Sequence, residues 1–224
     1  MVGAENVHGS PTPLGLHRLT HPMKTLALFL SLFALTSGSL EAVILVKIPG
    51  VPGTAKIQGY DDGNWFVADS FSFGVERELT ESVKGGTEDI NIGVGELQEC
   101  TISKSMDRGS AKLAQFAING NTAGQAEIHF VQLVVDPVGG GTKAIPYLIY
   151  KLDRCFVKSW STSGDADDRP TEEVAFHYNR IAFAYYHSED GRTFEPAQIM
   201  SWDNVQNKPW SDHGLPANAP MGGK

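Results

Sequence analysis

From residue 43 onward, apolar side chains tend to take every second position in short runs, and Gly, Pro, Asn and Asp punctuate those runs. A period of two is the signature of strands with one buried face. The first run covers residues 43–48 and ends at Pro49-Gly50, because proline lacks the donor that a ladder needs. A long Gly- and Asp-rich connection follows over 51–64. In residues 65–78, Phe71, Phe73 and Val75 oppose Ser70, Ser72 and Gly74; residues 96–105 form another candidate strand. In residues 125–135, Ile128 and Phe130 share one phase, while Val131, Leu133 and Val135 take the other. That pattern requires either cover on both faces or a bulge near Phe130. Residues 145–160 begin a long partner. Residues 174–187 change phase between Val174, Phe176, Tyr178 and Ile181, Phe183, Tyr185. The single helical signal is 110–118, where Ser110 is placed to cap, Leu113, Phe116 and Ala117 lie three or four apart, and Gly120 stops the helix. Long strands with changes of phase predict a mainly β fold, a small closed two-sheet β-barrel with the short helix at an open end.

The beginning of the chain reads differently. Residues 25–35 (TLALFLSLFAL) are an apolar run preceded by Lys24 and followed by Thr36, Ser37, Gly38 and Ser39. This is the outline of a secretory signal over 23–42, with cleavage after Gly38 or after Ala42. A permanent span needs about 20 apolar residues, so the run predicts no membrane helix in the mature protein. Residues 1–22 have no hydrophobic period; they are either a mis-assigned extension before a start at Met23 or a long unstructured leader. The expected organisation is therefore an extension (1–22), a signal peptide (23–42), a β-barrel domain (43–207) and a flexible, Pro-rich tail (208–224). A working signal implies a secreted or periplasmic protein, and a retained segment implies a cytoplasmic one.

Charge narrows the function. The 224 residues carry 18 Lys+Arg against 26 Asp+Glu, a net charge of -8, with no basic cluster of the kind nucleic acid demands. Two cysteines, Cys100 and Cys155, suffice for one bridge in an exported chain, or are two buried thiols in a cytoplasmic one. His129, His177 and His187 fall in no metal-binding spacing. Gly139-Gly140-Gly141 joins two predicted strands, so it reads as a turn and not as a phosphate loop. Asp165, Asp167 and Asp168 resemble half of a calcium loop but lack its glycine and closing glutamate. Trp65, Trp160, Trp202 and Trp210 are too dispersed to define a sugar platform. The expectation is a non-enzymatic protein with no catalytic residue, cofactor site or metal site.

The order of motifs resembles that of the haemolysin-coregulated proteins, which build the tube of the type VI secretion system. Residues 46–51 (VKIPGV) are similar to the family's opening strand and turn, and 69–75 (DSFSFGV) to its Ser-Phe-x-Trp/Phe-Gly-Val strand. Lys104, Asp107, Ser110 and Leu113 match its Lys-x-x-Asp-x-x-Ser-x-x-Leu entry to the helix. Glu173-Val174, Tyr178, Tyr185-Tyr186 and Ser201-Trp202-Asp203 follow in family order. The resemblance, spanning residues 43–207, implies a structural homo-oligomer: six copies form a ring, and rings stack into a hollow tube. It also implies effector proteins in the lumen, sheath or spike components as partners, and a long loop reaching toward the adjacent ring. The apparent signal departs from the family, whose tube subunit is loaded from the cytoplasm. An exported ring-forming or glycan-binding β-domain is the alternative.

Overall fold

The computed structural model describes residues 41–81, 90–135, 142–190 and 193–220. Along these residues run β1 (Glu41–Lys47), β2 (Trp65–Ala68), β3 (Ser70–Ser72), β4 (Val75–Glu81), β5 (Ile90–Leu97), β6 (Cys100–Ser105), α1 (Ser110–Asn119), β7 (Thr122–Val135), β8 (Thr142–Ser163), β9 (Thr171–His177), β10 (Arg180–Tyr185) and β11 (Gln198–Asp203). The main sheet follows the order β2-β1-β7-β8-β9-β6-β3, with β10 branching from β8 and β11 from β10. All of its pairs are antiparallel. Strands β4 and β5 make a separate two-stranded ribbon.

The 22 residues of β8 serve two partners in succession. Residues 148–153 pair with β10, and residues 156–163 pair with β9. Between them lies a corner. Arg154 adopts φ 50°, Gly124 opposite adopts φ 76°, and the β7–β8 register shifts on both sides of Gly124. An extra residue in one strand sharpens local twist and turns the sheet. A second shift falls between Phe130 and Val131, which face Leu148 and Pro146; the extra residue is Tyr147. The bulge expected near Phe130 is therefore present, carried by β8, where Pro146 has no donor to offer the ladder.

Rolling the sheet puts Val46, Phe66, Ile102, Ile128, Leu152, Val174, Phe176 and Ile181 into one interior cluster. Helix α1 adds Leu113 and Phe116, each worth about 1.5–3 kcal/mol on full burial. Its end is sealed by Gly120 at φ 64°, whose N–H donates to the Phe116 carbonyl. The opposite faces of β7 and β10 are covered as well. Leu45, Val131 and Ala144 pack beneath Ala55, Tyr60 and Trp65, and Ile149, Ala182, Ala184 and Tyr186 beneath Trp210 and Leu215. The apolar residues in both phases of 125–135 thus reflect two covered faces.

Several expectations are corrected. The barrel is not a closed pair of sheets: the ladder ends at β2 and β3, which have no pairing with each other and are joined through Asp69, whose N–H donates to the Ser103 carbonyl of β6. Four and three residues are enough to pair with β1 and β6 respectively, but leave nothing with which to close the seam. The expected strand at 65–78 is three strands, and the run 174–187 breaks at Tyr178-Asn179 into β9 and β10. Ser110 is not the cap. Gly109 occupies that position, and the Ser110 hydroxyl is spent on Glu172. In the segment expected as a tail, Trp210 and Leu215 are buried and the Tyr186 hydroxyl donates to the Pro216 carbonyl at 2.8 Å. The β domain opens at Glu41, since Glu41 and Ala42 already pair with Leu133 and Gln132. Cys100 and Cys155 are free and buried, on strands β6 and β8 with β9 between them. Burial pushes both thiols up, Cys100 to about 12. The remainder of the expected signal peptide, the 1–22 extension and Gly139-Gly140-Gly141 lie outside the described residues.

Candidate functional site

The 51–64 connection is folded down on the sheet. Its stem is closed by Gly53 N–H donating to the Gly63 carbonyl and Ala55 N–H donating to the Trp65 carbonyl. Gly53 is required there, because a Cβ would stand 1.9 Å from the Trp65 carbonyl oxygen. Tyr60 reaches back under the loop and is 8% exposed. Its ring meets Trp65 edge-on at 4.8 Å, and its hydroxyl lies 3.0 Å from His129 Nδ1. On the other side of the ring His129 Nε2 lies 3.4 Å from Glu127 Oε2, buried and without a hydrogen-bond partner. His129 also lies 4.6 Å from Trp65, whose ring carries the Lys47 ammonium at 5.5 Å. Burial, reinforced by Glu127, pushes the Tyr60 phenol up, so it stays a donor at any working pH. The His129 contact, helped by Lys151 and Lys47, holds the Glu127 carboxyl below its usual range. Lys56, Gln58, Asp61 and Asp62 remain exposed on the outer side of the loop.

A second cluster is wholly interior. The Lys104 ammonium donates to Glu172 Oε1 at 2.6 Å and to the Ser105 carbonyl at 3.0 Å, and lies 3.0 Å from Asp107 Oδ1. Glu172 accepts from Ser110 Oγ at 2.8 Å and from Trp160 Nε1 at 2.7 Å. Asp107 accepts from Gly109 N–H and from Thr54 Oγ1, tying the start of the 51–64 loop to the helix entry. Lys104 and Glu172 are buried, and each is multiply bonded, which is the condition for keeping charge inside a protein. The spacing Lys104, Asp107, Ser110, Leu113 therefore has a physical meaning: three polar members of one network, then the first core residue of α1. Sequence reading missed Glu172 and Trp160. The signal was the phase of β9, where Glu172 shares the inward side with Val174 and Phe176.

A third feature is an apolar groove of about 550 Å³ between the β4–β5 ribbon and β11, lined by Val75, Arg77, Leu97, Met200 and Trp202. The four tryptophans do not converge. Trp65 sits under the loop, Trp160 on Glu172, Trp202 in the groove and Trp210 in the C-terminal segment, over Ile149 and Tyr186. His177 and His187 are exposed on the surface. The carboxylates of Asp165 and Asp168 accept from backbone N–H groups of their own turn, and among the described residues no three His, Cys, Asp or Glu side chains are grouped to hold a metal ion.

Polar side chains in this molecule tie segments to one another, and fold and surfaces together define a β-rich structural scaffold. The family model described as "Type VI secretion system effector, Hcp" matches residues 45–185, and the chain belongs to the Hcp family, the structural tube proteins of the type VI secretion system. Among solved structures, one titled as the structure of a type six secretion system protein is 23% identical with a TM-score of 0.64, covering 75% of this chain and 99% of the other. Hcp1 from Salmonella typhimurium is 18% identical with a TM-score of 0.57, again covering 75% and 99%. These likenesses establish the shared fold. No curated protein matches the chain.

Proposed function

We propose that this chain is a tube subunit: six copies close a ring, rings stack into a hollow tube able to carry effector proteins, and no copy holds an active site. The observation that carries the reading is the family match over 45–185, supported by a fold shared with Hcp1 over nearly the whole of that chain. Contacts within a ring fall to sheet faces and edges, and contacts between rings to the outer side of the 51–64 loop. A ring of identical subunits requires two different complementary patches on each copy. The groove beside the β4–β5 ribbon and the unpaired edge of β11 are concave and linear surfaces suited to one of them.

Native mass spectrometry of the purified chain is expected to give a six-fold mass, and electron microscopy is expected to show rings and stacks. A chain that stays monomeric at high concentration overturns the reading. Stacking is tested by alanine at Lys56, Asp61 and Asp62 together, which leaves Tyr60 and the loop stem in place. Removal of 56–63 would delete a buried aromatic as well as the contact surface. The expected result is intact rings with shortened stacks.

The apolar run at 25–35 favours a second reading, an exported ring-forming protein outside any injection machine. Fractionation of a tagged full chain separates the two: a shortened product outside the cytoplasm supports export, and a full-length cytoplasmic product supports the tube subunit. Among the described residues, no helix is long and apolar enough to cross a membrane.

A further inference from the structure

We propose that Tyr60 and His129 are positioning residues that preset the 51–64 loop for contact with a second copy of this chain in a neighbouring ring; the proposal rests on the tube reading above. The loop has an inner and an outer side. Val51, Ala55 and Tyr60 are buried against the sheet, whereas Lys56, Asp61 and Asp62 face outward. Its stem is fixed by the two backbone bonds to Gly63 and Trp65, and its far half by the turn bond from Tyr60 N–H to the Ile57 carbonyl, the Asn64 N–H to Asp62 bond, the half-buried Ile57 side chain and the Tyr60 side chain, the last being the most deeply buried of these ties. Tyr60 has one polar tie, the 3.0 Å bond to His129, and one aromatic seat, Trp65. The other ring nitrogen, Nε2, is buried 3.4 Å from Glu127 Oε2 without a hydrogen bond, so the Tyr60 hydroxyl is the hydrogen-bond partner of the imidazole.

A surface loop that docks in the conformation it already holds avoids the entropy of ordering on binding. The outward tip carries both signs of charge, Lys56 against Asp61 and Asp62, which suits a partner with the same chemistry, namely another copy. The hydroxyl-to-imidazole bond thus acts on assembly through the loop, without touching the partner.

The test compares the full chain with Tyr60→Phe, His129→Phe and the double variant, by native mass, thermal midpoint, amide exchange and stack length against concentration. Tyr60→Phe keeps the ring on Trp65 and removes only the bond. Expected are an unchanged ring mass, a midpoint close to that of the parent, and exchange faster by roughly three- to tenfold at the loop amides alone. Stacking should require a correspondingly higher concentration, and the double variant should add little to the worse single one, because one shared interaction has been lost. Parent-like stacking in both single variants overturns the proposal even if the loop loosens. Unchanged loop exchange overturns it too, and so does faster exchange spread across the sheet. A parent chain that forms no stacks defeats the tube reading instead, and is recognised because it fails before any variant is made.

Discussion

Lys104 and Glu172 illustrate what a single alternation of side chains conceals. Both sit at inward positions of strands whose other inward residues are apolar, Cys100 and Ile102 on β6, Val174 and Phe176 on β9. Leaving one charge behind without its partner is the costly event, whereas removing both is mild. Lys104→Met is therefore expected to lower unfolding free energy by about 3–5 kcal/mol in urea titrations, and Lys104→Met with Glu172→Leu by much less. A double variant as unstable as the single one would mean that Ser110 and Trp160, once orphaned, carry the cost. Half of this network was legible beforehand, since Lys104, Asp107 and Ser110 lie at a recognisable spacing. Glu172 was not, because two of its three partners, Ser110 and Lys104, are 62 and 68 residues away and alternation ranks positions by side, not by what occupies the far side.

The elements divide along the same line. Helix α1 was readable from Leu113, Phe116 and Gly120, because its signals are local. The strand breaks at Asp69 and at Tyr178-Asn179 were not, because apolar residues continue across them and the break is decided by which neighbour offers hydrogen bonds. The corner in β8 is a case of its own: Arg154 holds a left-handed conformation that costs a side chain about 1–2 kcal/mol, and Gly124, paired with the next residue Cys155, is left-handed too. Arg154→Gly is expected to raise stability by about 0.5–1 kcal/mol, the strain relieved less the added freedom of the unfolded chain. Gly124→Ala should lower it by about 1 kcal/mol or more through backbone strain alone, since a Cβ there would meet Pro49 at an ordinary 3.6 Å. Thermal unfolding of the two variants reads both signs in one experiment.

On the scale of the whole molecule, the central core is flanked by two outer clusters, and each is covered by a segment with no regular structure, the 51–64 loop and residues 204–220. Composition hid both covers, because one Tyr among Gly and Asp, or one Trp and one Leu among Pro and Asn, leaves a segment looking polar. Ending the chain after Asn207 removes Trp210 and Leu215 from Ile149, Ala182, Ala184 and Tyr186. The loss expected is about 3–6 kcal/mol, the burial of two large side chains, read as a lower urea midpoint with new binding of a hydrophobic dye. A truncated chain as stable as the parent would show that residues 208–220 rest on the domain without supporting it.

The seam at Asp69 has a mechanical consequence. A seam made of paired strands can slip in register, because each hydrogen bond is exchanged for an equivalent one two residues along. Here the two margins of the sheet are consecutive links of one polymer, so sliding β1 past β6 would demand that either the β1–β2 pairing, or the β3–β6 pairing with the Asp69 N–H to Ser103 carbonyl bond, give way as a whole. Shear applied across the roll therefore passes through the covalent chain at Asp69 into the two short ladders beside it, so the seam itself cannot creep.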